Sequence, residues 1–145
     1  MPLLVVDGAT IVFEPSAGWN WLGWDGSLTL TVTSGVVKVA DSPVAVVADV
    51  QLLATQLVGK QYLATGHTIP GSILSCVMQV EDGSTTDRVT SRGLETVTAD
   101  AAGQFQAACV PSQQAGTPPV PDPNMPKTGR WYVDDPGQED TLNIE

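Results

Sequence analysis

The stretch "VKVADSPVAVVADV", residues 37–50, places two valine-rich runs on either side of an Asp41-Ser42-Pro43 turn, and Asp49 follows the second run. Valine suits a pleated, half-buried surface. Proline pre-sets φ for a turn, and Asp and Ser bond their own backbone there. The stretch therefore reads as a short β-hairpin closed by an aspartate.

The pattern recurs. "RVTSRGLETVTAD" (88–100) can be laid under "KVADSPVAVVAD" (38–49), with Val89 under Val39, Gly93 under Pro43, Leu94 under Val44 and Val97 under Val47. An aspartate closes each copy, one position later in the second. Two hairpins of similar composition share turn residues and alternation by chance as well, so the repeat needs support from elsewhere in the chain.

Strand signals dominate the rest. "LTLTVTS" (28–34) alternates Leu28, Leu30 and Val32 with threonines, which gives one apolar face at period two. "SILSCVMQV" (72–80), opened by Pro70-Gly71, "ETVTA" (95–99) and "QFQAACV" (104–110) read as further strands. For "VADVQLLATQLVGKQY" (47–62) a short helix ended by Gly59 competes with a strand over 46–54. Seven of the eleven prolines lie in 111–136. Proline donates no ladder hydrogen bond, so "PSQQAGTPPVPDPNMPKTG" (111–129) reads as an extended strap. Trp131 and Tyr132 anchor it, and an acidic tail follows. The expected organisation is a β-domain at 1–110 and a Pro-rich strap with acidic tail at 111–145.

Composition excludes several partners. The 145 residues carry a net charge of −10, and the six Lys and Arg form no cluster, so a phosphate backbone or an anionic membrane surface would be repelled. No apolar run approaches the roughly 20 residues that span a bilayer. The start "MPLLVVDG" lacks a basic region and a long apolar core, which points to synthesis in a bacterial cytoplasm. There is no phosphate-binding loop, dinucleotide fingerprint or H-E-x-x-H motif. Cys76, Cys109 and His67 form no local nucleophile signature, so no enzymatic activity is expected. "EDGSTTD" (81–87) lacks calcium-loop spacing and reads as a polar turn.

The strand-turn-strand pattern ending in Pro-Val-Ala-x-Val-x-Asp resembles the repeat of PAAR and PAAR-like proteins. Here the matching stretch is Pro43-Val44-Ala45-Val46, without the arginine. "LLVVDGATIVF" (3–13) resembles the family's first strand, "IPGSILSCVMQV" (69–80) its middle segment and "GQFQAACVP" (103–111) its last strand. The resemblance implies a small tapered β-domain of short hairpins that caps a trimeric β-helical spike, one copy per trimer. Such caps sit at the tip of type VI secretion systems, phage-tail-like particles and contractile phage tails. They are delivered outside when the sheath contracts, sometimes with effector cargo. Low surface charge and many threonines suit a protein that crosses a membrane without inserting stably.

Many members of the family that the chain resembles bind a metal near the point through histidines and a cysteine. This chain offers a single histidine, so the weak candidates for one zinc or iron ion are His67, Cys76 and Cys109. The expectation is no cofactor, two buried thiols, and a point held by packing or by a disulfide. "GWNWLGWDG" (18–26) holds three tryptophans within six positions. Core packing explains such a cluster. A partner-facing seal formed by Trp19, Trp21 and Trp24 is the functional reading, because Trp is enriched at interface centres. The turn residues Asp41, Pro43 and Gly93 mark the repeated hairpins. The competing readings are a baseplate or capsid decoration module, and a secreted effector enzyme.

Overall fold

A computed structural model describes residues 4–32, 37–39, 42–91, 94–116, 118–123 and 125–137. In chain order the elements are β1 (Thr10–Pro15), β2 (Trp19–Leu22), β3 (Ser27–Thr29), β4 (Lys38–Val39), β5 (Ser42–Pro43), α1 (Val47–Gln51) and a 3-10 helix at Leu52–Leu57. Then follow β6 (Gln61–Ala64), β7 (Gly71–Val80), β8 (Thr85–Ser91), β9 (Leu94–Val97), β10 (Ala102–Val110), β11 (Gln113–Gln114), β12 (Val120–Pro121) and β13 (Lys127–Asp135).

Seven of these strands form one antiparallel sheet in the order β2-β6-β7-β10-β13-β1-β3. Its two outermost strands, β2 and β3, are consecutive pieces of the segment 19–29. β2 pairs with β6, and β3 pairs with β1. The tryptophan segment thus ties the last strand to the first and rolls the sheet into a barrel. Gly26 (φ +88) bends the segment between its two halves. β2 and β3 remain the two ends of the hydrogen-bonded order and are held together by the chain between them and by side-chain packing. Trp21 of β2 stacks on Phe105 of β10 across the interior, with centroids 6.0 Å apart.

Alternation fills that interior. Ile11, Phe13, Tyr62, Ile73, Met78, Phe105 and Trp131 are all buried. The bore is narrow, and glycine makes room for the rings. Phe105 faces Gly129 across the β10–β13 ladder, and Trp131 faces Gly103. A Cβ on Gly129 would lie 2.6 Å from the Phe105 ring, and one on Gly103 would lie 2.6 Å from the Trp131 indole nitrogen. The side of β7 that lacks a long partner strand is covered by α1 and the 3-10 helix. Val50, Leu53, Ala54 and Leu57 point from them into the core. The helical reading of 47–62 is therefore the one observed, shorter than its window, with Gly59 at φ +89 after its end.

β3 stops at Thr29, although Leu30 and Val32 continue the apolar face and are buried. Both hairpins are present as β4–β5 and β8–β9. Their repeat-motif residues Asp41 and Gly93 lie outside the described residues. Pro43, expected in the turn, ends β5 opposite Lys38.

The stretch after residue 110 departs from the expected strap. The described residues of 111–126 are irregular apart from the two-residue β11–β12 ladder and the bridge of Gln113 to Ile69. Lys127–Asp135, however, runs inside the sheet between β10 and β1. Trp131 is 0% exposed and donates its indole N–H to the Gln79 carbonyl at 2.8 Å, so it is core rather than a surface anchor. The proline-rich composition ends at Pro126, one residue before this strand begins, and nothing after it breaks a ladder.

Candidate functional site

Three segments meet at one end of the barrel: 4–6, 44–46 and 96–98. Their bridges run in a cycle. Leu4 pairs with Thr98, Thr96 with Val46, and Val44 with Val6. Each segment's first residue thus meets the last residue of another, as the sides of a triangle meet at its corners. The middle residues close a second cycle inside the first. Val5 N–H donates to the Val97 carbonyl at 2.9 Å, Val97 N–H to Ala45 at 3.0 Å, and Ala45 N–H to Val5 at 2.8 Å.

The equivalence continues beyond each segment. Ala9 N–H donates to the Val6 carbonyl, Asp49 N–H to Val46, and Ala101 N–H to Thr98, at 3.0–3.1 Å. Each segment therefore turns the same way before passing into β1, α1 or β10. Two aspartates of these turns accept backbone hydrogen bonds, one from a distant segment and one within its own turn. The Asp7 carboxylate accepts from Val32 N–H at 2.8 Å, and the Asp49 carboxylate accepts from Val46 N–H at 2.9 Å. Val5, Ala45 and Val97 belong to the barrel core, whereas Leu4, Val6 and Val44 form a separate apolar cluster with Val37. A single chain thus carries a layer with approximate threefold symmetry. The two repeated hairpins feed two of its sides, and the N-terminal segment supplies the third.

The opposite end of the barrel holds a buried polar cluster. Lys127 of β13 pairs with Asp122 of the strap at 2.5 Å, and their side chains are 5% and 2% exposed. Tyr62 of β6 donates to Asp122 Oδ2 at 3.2 Å and accepts from Ser112 N–H at 3.0 Å. Ser112 Oγ accepts from Ala64 N–H at 3.2 Å and lies 2.9 Å from His67 Nδ1. Burial pushes the Tyr62 hydroxyl above its ordinary range. The cluster fastens the strap over the barrel end. One sequence signal pointed to it: Asp122 and Lys127 are the two charged residues of 101–129.

The expected site residues are distributed differently. His67 is engaged with Ser112 at the strap end. Cys76 and Cys109 are free thiols on the neighbouring strands β7 and β10, both half-buried. Burial, with a smaller contribution from Cys109, pushes the Cys76 thiol up to about 12. Burial pushes Cys109 up to about 11. A tetrahedral zinc or iron site needs deprotonated thiolates and about four donors. Among the described residues no group of three or more His, Cys, Asp or Glu is placed to hold a metal ion. The three side chains do not fit a metal centre.

The tryptophans are committed to the barrel. Trp19 is 7% exposed and donates to the Thr128 carbonyl at 3.0 Å. Trp21 donates to the Phe13 carbonyl at 2.8 Å and Trp24 to the Ser27 carbonyl at 3.0 Å. Their rings meet edge to face, at 4.9 Å for Trp19–Trp21 and 4.8 Å for Trp21–Trp24. Trp21 and Trp24 are half-buried, and Lys60 Nζ sits 4.8 Å above the Trp24 ring.

The sequence model of the family described as contractile injection system spike tip protein matches residues 1–139. No curated protein matches the chain.

Proposed function

The chain belongs to the contractile injection system spike tip protein family, and from that premise we propose that one copy caps the end of a trimeric β-helical spike through its three-segment layer. The spike-tip role is structural, and among the described residues no helix is long and apolar enough to cross a membrane.

One observation carries the finer reading: the closed cycle of hydrogen bonds among Val5, Ala45 and Val97. The end of a three-chain β-helix presents three equivalent sets of unpaired backbone groups. A single chain meets such a target by offering three similar sides, each pairing with one spike chain by β-augmentation. The hairpins β4–β5 and β8–β9 and the N-terminal segment are those sides. Because the tryptophan rings pack inside the barrel, we assign the spike contact to the three-segment layer and its hairpins rather than to Trp19, Trp21 and Trp24; the buried cluster of Leu4, Val6 and Val44 holds that layer together from within. On this reading the cap closes the spike's open strand edges and is driven through the target envelope when the sheath contracts.

Co-expression with the trimeric spike of the same particle, followed by native mass measurement, tests this. One tip per three spike chains is expected. Ala45→Pro removes an N–H from the inner cycle and should abolish capping. Three tips per trimer, or wild-type tip with no affinity for the spike, would refute it.

A further inference from the structure

The two ends of the barrel differ in charge. The strand registers place the three-segment layer, the 81–84 turn and the end of β13 at one end. They place the 16–18 turn, the 65–70 loop and the 111–126 strap at the other. The layer end is acidic, with Asp7, Glu81, Asp82, Asp100, Asp134 and Asp135 around it. The strap end exposes no carboxylate, lysine or arginine among its described residues. Its Asp122 and Lys127 are buried against each other, and its exposed positions are Gly, Ala, Ser, Thr, Gln and Pro with Ile69, Val110, Val120 and Met125.

We propose that the strap-covered end is the leading end of the tip and that its partner is the lipid bilayer of the target. This rests on the reading that the opposite end faces the spike. Two features of the strap end favour it. A charge carried into hydrocarbon is costly, and an uncharged nose with small and apolar residues avoids that cost. The strap end is also a poor seat for spike strands. Pro70, Pro111, Pro121 and Pro126 lack the N–H that β-augmentation needs. The strap therefore leads the chain forward and does not contact the spike.

The test uses contractile particles carrying the tip and dye-loaded vesicles of pure phosphatidylcholine. Val120→Glu and Val120→Lys place either sign of charge on the nose. Gln104→Lys places one on the barrel wall. Tip occupancy on the spike, read by co-purification, should equal wild type for all three. Dye release should fall about tenfold or more for both Val120 variants, because centring either charge in a bilayer is costly, and stay near wild type for Gln104→Lys. Unchanged release from the Val120 variants would overturn the proposal. A fall for one sign only would point to an electrostatic contact with the headgroups rather than entry of an uncharged nose into hydrocarbon and would also overturn it. Loss of occupancy by the Val120 variants, or a photo-cross-link from position 120 to the spike, would show that the strap end faces the spike. That outcome reverses the polarity while one-to-three capping stands; failure of the stoichiometry itself is read separately.

Discussion

Lys127 and Asp122 form an ion pair from which solvent is nearly excluded, and it joins the first residue of a central strand to the proline-rich strap that covers the barrel end. Tyr62 donates to the same carboxylate and carries the lysine 5.6 Å above its ring. Removing one partner of a buried pair leaves an uncompensated charge, which costs about 3–5 kcal/mol. Asp122→Asn or Lys127→Met alone should therefore lower stability by that order in urea titration. The double variant Asp122→Leu/Lys127→Met should recover a large part of the loss. Equal losses for single and double variants would sink this account of the clasp.

Gly129 is required by the close approach of the Glu14 carbonyl and the Phe105 ring rather than by its own backbone angles. A methyl there would meet the phenyl ring at 2.6 Å and also press on the Glu14 carbonyl. Overpacking a tight core costs roughly 1–3 kcal/mol. Gly129→Ala should destabilise by at least that, with a changed near-ultraviolet circular dichroism spectrum from the adjoining tryptophans. Gly116→Ala, in the exposed strap, should be close to neutral.

Cys76 and Cys109 should react slowly with iodoacetamide at neutral pH. With the Cys76 thiol at about 12 instead of 9, its thiolate fraction at pH 8 falls about a thousandfold. The folded-state value lies above the unfolded one. The resulting stability is therefore present below pH 9 and is lost as pH rises toward 12. Stability measured at stepwise higher pH should decline across that window for wild type. It should decline less for the Cys76→Ser/Cys109→Ser variant. Stoichiometric alkylation of native protein at pH 7 within minutes would contradict the burial of both thiols.

Trp21 bridges the closing segment to the rest of the barrel through Phe105, Trp19, Trp24 and the Phe13 carbonyl. Read as a surface seal it would leave the isolated domain folded when removed. Its contacts predict otherwise. Trp21→Ala should cost about 3–5 kcal/mol, visible as a lowered melting temperature of the tip alone. A variant with wild-type stability and lost spike binding would return Trp21 to the interface.

Much of the β architecture was legible because it is local. Alternation at period two marks "SILSCVMQV" and "QFQAACV" as strands, and the Asp-Ser-Pro and Arg-Gly turns mark the hairpins without reference to anything distant. Residues 38–49 and 88–100 read as a repeated hairpin and 3–13 as a first strand of the family pattern, and these three regions supply the sides of the layer. Other features were not legible from sequence. Period two does not say which strand lies beside which, so "GRWYVDD" gave no sign that it runs between β10 and β1. Nor did it show that "GWNWLGWDG" closes a barrel and turns its indoles inward. A tryptophan cluster has the same composition in a core as at an interface, and only its partners decide. Asp122 and Lys127 look like strap charges until the fold brings them together beneath Tyr62. The sequence determined a chain of short strands and turns. Tertiary structure decided closure, the sides the aromatics face and the cyclic pairing of Val5, Ala45 and Val97, because each depends on which segments meet in space; the cycle alone joins residues 40 to 92 positions apart.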